Sequence, residues 1–141
     1  MSDSAQHLAL VNSILALVRR DFSPRKFVVL SDLPGSLDKP PRINGFVPDV
    51  FAEDAPRTAV VVGEAKTIQD LQTAHSRLQI AAFLRFLAAQ QNGIFVLAVP
   101  WPAIATARQI VELELKQLEP QNVKVVISDG YETRAAANPS K

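Results

Sequence analysis

The sequence predicts an α/β domain: a mixed β-sheet flanked by helices, in the order αβββαβ with an added αβ. Three observations predict it. Two stretches with apolar residues at helical spacing each stand between short β-branched, apolar runs, the pattern of strands joined by helical crossovers. The three earlier apolar runs follow one another without a helix between them, as in a meander. A further amphipathic stretch opens the chain.

Taken in order, Leu8, Val11, Ile14, Leu15 and Val18 make an apolar stripe that runs to about Arg20. Asp3 or Ser4 is the expected cap, with Gln6 three residues after Asp3 as in a capping box. Lys26–Leu30 is β-branched and aromatic and reads as a strand. Residues 31–45 hold three prolines and two glycines and read as a long loop, of a kind that is often functional. A short strand over 46–52 and a turn over 53–57 lead to residues 58–66, the strongest strand. A loop from Thr67 gives way to a helix over 75–91, apolar nearly all round through IAAFLRFLAA and stopped by Asn92-Gly93. Residues 94–99 form a buried strand. Trp101-Pro102 opens a third helix, with Ile104, Ile110, Val111, Leu115 and Leu118 inside and Pro120 ending it. Residues 123–127 supply the last strand. Residues 1–130 therefore read as one domain, and 131–141, without periodic hydrophobics, as a fraying tail.

Composition narrows the function. The chain has 141 residues, 48% of them hydrophobic and 21% charged, so one domain with a real core is expected. It has no cysteine, which excludes disulfides, thiolate zinc sites and a cysteine nucleophile and suits a reducing cytoplasm. The amino-terminal segment places an acid ahead of its apolar run and two arginines behind it, the reverse of a signal peptide. That run is also too short for a bilayer. A cytoplasmic protein with no membrane contact is expected. A formal charge of +1 speaks against a strongly cationic nucleic-acid binder.

The chemistry is concentrated where strands carry charges they should not. In residues 58–66, Val60, Val62, Glu64 and Lys66 share one face while Ala59, Val61, Gly63 and Ala65 share the other. Both faces begin apolar, the mark of a central strand, and then one turns to a carboxylate and an ammonium. On the preceding strand Asp49 stands among hydrophobics, with Val47 and Phe51 on its face, and the 53–57 turn can bring it near Glu64. Two neighbouring carboxylates repel unless a proton or cation lies between them. With no cysteine to favour a softer ion, Mg²⁺ or Mn²⁺ suits them.

Pro48-Asp49, then fourteen residues, then Glu64-Ala65-Lys66, resembles the PD-(D/E)XK motif of the restriction-endonuclease-like nucleases. That superfamily has the core order αβββαβ. The element around Gln79, ending in Phe83, is similar to the Gln-x-x-x-Tyr element of some branches. The resemblance covers roughly residues 4–99, and in size and order the chain looks like small stand-alone Holliday-junction-resolvase-like nucleases. It implies a divalent-metal-dependent DNA endonuclease that hydrolyses phosphodiester bonds and works as a homodimer on DNA. Asp49, Glu64 and the Ala65 carbonyl would bind Mg²⁺ or Mn²⁺, Lys66 would orient water or neutralise charge, and Gln79 would position the water or the lysine. Many relatives add a glutamate from the first helix. Here residues 5–19 contain no acid, and Gln6, His7, Asn12 or the outlying Asp3 are the polar candidates.

Other residues are expected as follows. Lys39 and Arg42 on the proline-rich loop, with Ser76 and Arg77 at the start of the second helix, are the candidate nucleic-acid contacts; an ordinary cap and a surface arginine account equally well for the last two. His75 has no partner at metal-ligand spacing, Asp70 reads as a cap or a solvated side chain, and Trp101 as packing. Arg19, Arg20, Arg25 and Lys26 read as a solvated helix end. Two further readings stay open: a catalytically inactive nuclease-fold module that binds nucleic acid or a protein partner, and an unrelated α/β domain in which Glu64 and Lys66 are structural.

Overall fold

Helix α1 spans Ser2–Phe22 and so begins ahead of both expected caps. The computed structural model describes residues 2–22 and 27–130; the side chains of residues 2–4, the expected Arg25 and Lys26, and the tail over 131–141 lie outside what it describes. Along α1, Val11, Ile14, Leu17 and Val18 are fully buried, and Arg19 and Arg20 in the last turn suit the helix dipole.

The sheet has five strands: β1 (Val28–Ser31), β2 (Val50–Glu53), β3 (Val60–Ala65), β4 (Gly93–Ala98) and β5 (Val123–Ser128). They lie side by side in chain order. β1, β2 and β3 pair antiparallel, then β4 and β5 join in parallel. The meander and the crossovers expected from the element spacing are both present. The single turn α2 (Ile68–Leu71) and helix α3 (Ala74–Ala88) connect β3 to β4, and helix α4 (Ile104–Leu118) connects β4 to β5.

Helices cover both faces, and the alternation of β3 decides which residues meet which helix. Val60 and Val62, with Phe95 and Leu97 of β4, pack against Ile80, Phe83, Leu84 and Leu87 of α3 and against Ala107, Ile110 and Val111 of α4. On the other face, Val61, Ala65, Val96 and Ala98 pack against α1. Each fully buried Leu, Val or Phe side chain is worth about 1.5–3 kcal/mol relative to exposure, so these two layers carry the fold. Gly63 lets α1 come close: a Cβ there would lie 2.7 Å from Ile14 Cγ2 and 3.1 Å from Val50 Cβ.

Several boundaries depart from the sequence expectations. β2 begins at Val50, because Pro48 offers no N–H to a ladder and Ile43 and Phe46 close on each other around Asn44 (φ 50°) and Gly45 (φ 91°). α3 ends at Ala88, where Ala89 N–H donates to Phe86 O (3.1 Å) and Gln90 N–H to Leu87 O (3.0 Å), a tightening of the last turn. α4 starts at Ile104 after a 3₁₀ turn over Trp101–Ala103. Trp101 is not packing: it is 73% exposed, and burial in this segment begins at Ala103.

Candidate active site

β3 carries Glu64 near its carboxyl end, and Lys66 follows its last residue; both side chains lie on the α3 side and both are buried, at 4% and 7% exposure. Their burial follows from position. β3 is the middle strand of five, and Lys66 N–H extends its pairing by donating to Ala98 O (3.0 Å). Glu64 Oε2 lies 3.2 Å from Lys66 Nζ, and Lys66 Nζ donates to Gln79 Oε1. Gln79 is brought there by α3, whose start is set by Thr73, the cap that accepts Ser76 N–H (3.1 Å).

Asp49 reaches the same cluster from the approach to β2. Val50 pairs with Gly63, so Asp49 would pair next with Glu64. The backbones do not complete that pair; the side chains do. Asp49 N–H donates to Glu64 Oε1 (3.2 Å), and Ala65 N–H donates to Asp49 Oδ2 (2.9 Å). Each carboxylate is thus fastened to the other's stretch of backbone, and Asp49 O is held by Asp32 N–H (2.9 Å). The same Asp49 Oδ2 lies 3.2 Å from His7 Nε2, contributed by the first turns of α1.

The cluster strains the ionisation of its members. Burial, and then the charge of Asp49, push the Glu64 carboxyl up to about 8, against the pull of Lys66 and of the Asp49 N–H. His7 is raised above its ordinary value by its hydrogen bond to Asp49 first, against desolvation, with the charges of Asp49 and Glu64 adding to the rise. Burial and the Asp49 charge thus both favour the protonated form of Glu64, and a cation in the cluster would favour the ionised one.

The donor set fits a hard divalent cation. Two carboxylates in one cluster supply oxygen, Asp49 Oδ1 has no hydrogen-bond partner among the described residues, and the Ala65 backbone lies against Asp49. Mg²⁺ is often held by one or two carboxylates and keeps several waters, so this small set is chemically adequate. Among the described residues no group of three or more His, Asp or Glu side chains is gathered as a ready-made ligand cage. A cavity of about 270 Å³ gives access from the α1 side, lined by His7, Asp49 and Asp32 with Leu33 and Pro34 of the loop. Glu64 and Lys66, whose side chains face α3, are not among its lining residues.

The remaining candidate residues fall elsewhere. Lys39 is exposed on the loop and donates to Leu33 O (2.7 Å), with Asp32 at 3.8 Å. Arg42 is exposed and donates to Gly45 O (2.9 Å). Arg77 is exposed on α3. Ser76 is corrected: it is 1% exposed, and its hydroxyl donates to Asp70 O (2.5 Å), so its side chain is committed to the junction of α2 and α3 rather than to a phosphate. The cap at α2 is Thr67, which accepts Asp70 N–H (3.2 Å), and the Asp70 side chain is exposed.

His7 is the contact that sequence reasoning named only as one of several polar residues. Its signal was present: His7, Val11, Ile14 and Val18 recur at helical spacing, so the imidazole continues the buried stripe toward the amino end. The chain matches no protein-family model, no curated protein and no solved structure.

Proposed function

We propose that this chain is a divalent-metal-dependent DNA endonuclease with a restriction-endonuclease-like fold. The observation that carries the reading is the exchange of bonds between Asp49 and Glu64, with Lys66 and Gln79 attached to the same cluster. These are the four positions at which the sequence resembles the PD-(D/E)XK nucleases. Placing the Asp49 carboxylate beside the buried Glu64 is costly to maintain for structure alone, whereas a cation shared between them relieves the cost.

Asp49, Glu64 and the Ala65 carbonyl would hold Mg²⁺ or Mn²⁺. Bound there, the ion supplies Lewis-acid polarisation of the scissile phosphate and a water of lowered pKa. The chain's own groups do the rest. His7 and Ala65 N–H fix the Asp49 carboxylate, leaving Oδ1 for the ion. Lys66 offers positive charge where the phosphate gains negative charge, and Gln79 holds the ammonium in place. Lys39, Arg42 and Arg77 are exposed cations for the DNA backbone. A homodimer doubles that basic surface, and the cysteine-free chain suits the cytoplasm.

One observation favours a second reading: Lys66 is satisfied by both Glu64 and Gln79 within the protein, as in a structural cluster, which fits an inactive module that binds nucleic acid or a protein. Incubation with linear, branched and single-stranded DNA, with and without Mg²⁺ or Mn²⁺, separates the two. The nuclease reading expects metal-dependent cutting that is lost in Asp49→Asn, Lys66→Ala and the bulk-preserving Lys66→Met. Binding without cutting on every substrate sinks it.

A further inference from the structure

Trp101 is the only tryptophan in the chain, and at 73% exposure it leaves most of a large aromatic surface in water. It follows the carboxyl end of β4, which runs parallel to β3 with Ala98 opposite Ala65. The indole therefore leaves the sheet at the same edge as Glu64, Ala65 and Lys66. It borders a cavity of about 250 Å³ whose other lining residues include Gln6 and Leu10 of α1, Pro100 and Asp129. The cavity beside Asp49 is lined by His7, Leu8 and Val11 of the same turns of α1. By helical spacing these two sets of residues occupy opposite flanks of the helix. One flank opens on the carboxylate cluster and the other on the indole.

The chemistry of the second cavity suits a base better than a phosphate. Among the described residues no lysine or arginine lines it, so it offers a phosphate no cation, whereas the indole offers a base a stacking face. Its volume lies below the ~300–1,000 Å³ of pockets for drug-sized ligands, which leaves room for about one ring system. We propose that Trp101 and this cavity take an unstacked base of the strand whose phosphodiester lies at Asp49 and Glu64. This inference rests on the nuclease reading and deepens it: the substrate class is single-stranded or junction DNA, because the bases of a continuous duplex are stacked on one another and cannot reach the indole.

The lone tryptophan is its own probe. The full chain, in Ca²⁺ and separately in EDTA, is titrated with a single-stranded oligonucleotide, with the same strand made abasic, and with a blunt duplex. Quenching and a blue shift of the emission are expected with the single strand, and little change with the other two. Trp101→Ala is expected to weaken single-strand binding, read by anisotropy of a labelled strand, by about tenfold or more, while Trp101→Phe keeps most of it. With Mg²⁺ or Mn²⁺, Trp101→Ala should raise KM and spare kcat. Unchanged emission while the wild-type protein binds the single strand, or undiminished binding by Trp101→Ala, overturns the inference and leaves the nuclease reading intact wherever strands are still cut. Failure to bind any DNA overturns both. Should circular dichroism show Trp101→Ala unfolded, the wild-type emission titration decides alone.

Discussion

Glu64 sits where burial and charge oppose each other most directly, and this gives the metal-free protein a pH signature. Its carboxyl moves from 4.5 to about 8 on folding, so the folded state binds that proton more tightly than the unfolded one. The stability it contributes is full below pH 4.5 and is lost as pH rises through about 8. His7, also raised, acts in the same direction. Thermal melts in EDTA should therefore show Tm falling across that window, and Glu64→Gln should flatten the fall; a Tm that rises through the window contradicts the assignment. Much at this scale was legible in the sequence. A carboxylate and an ammonium two residues apart on an otherwise apolar strand mark a cluster, and Asp49 belongs to it for the same reason. His7 was harder to see, since its contact with Asp49 spans 42 residues and exists only once α1 is laid on the sheet. Trp101 misled because a large aromatic at a helix start is ordinarily packed, whereas the buried positions here begin at Ala103.

At the scale of elements, the cluster depends on how closely α1 approaches β3. Gly63 sets that distance, and a methyl group in its place would press on Ile14, which is 1% exposed and has nowhere to move. Gly63→Ala should cost about 1–3 kcal/mol by overpacking, measured as a lower midpoint in urea with an unchanged slope. Because His7 rides on α1, the same substitution should shift the imidazole proton and carbon resonances in an NMR spectrum; an unperturbed His7 would show that α1 does not set its position. Element existence and order were legible from the apolar pattern, because β3 is a continuous run buried at every residue and α3 buries residues at helical spacing. Boundaries were not, and each miss has a local cause. Pro48 delays β2, so Asp49 lies outside the ladder with its N–H free to meet Glu64. Thr73, rather than a residue of the 75–77 segment, caps α3, and Ser76 is consequently drawn inside. Side chains that cap or cross-link are chosen by tertiary geometry, which spacing alone does not encode.

For the whole molecule, the balance of 15 basic and 14 acidic residues means that the proposed nuclease would have weak long-range attraction to DNA and would rely on a few local cations. Lys39, Arg42 and Arg77 stand exposed while two of the acids lie in the cluster, where a divalent ion would offset them. DNA affinity should fall linearly on a logarithmic plot against salt, and neutralising one of these three cations should lower the slope by about one, without changing the preference among DNA shapes. A slope insensitive to all three would move the DNA surface elsewhere. The central claim, however, is that Asp49 and Glu64 share a divalent ion. Calorimetric titration of the metal-free protein with Mn²⁺ tests it most directly: saturable binding by the wild-type chain, abolished in both Asp49→Asn and Glu64→Gln with the fold retained by circular dichroism, is the result expected. Binding unaffected by either substitution, or no binding by the wild-type chain, would contradict it.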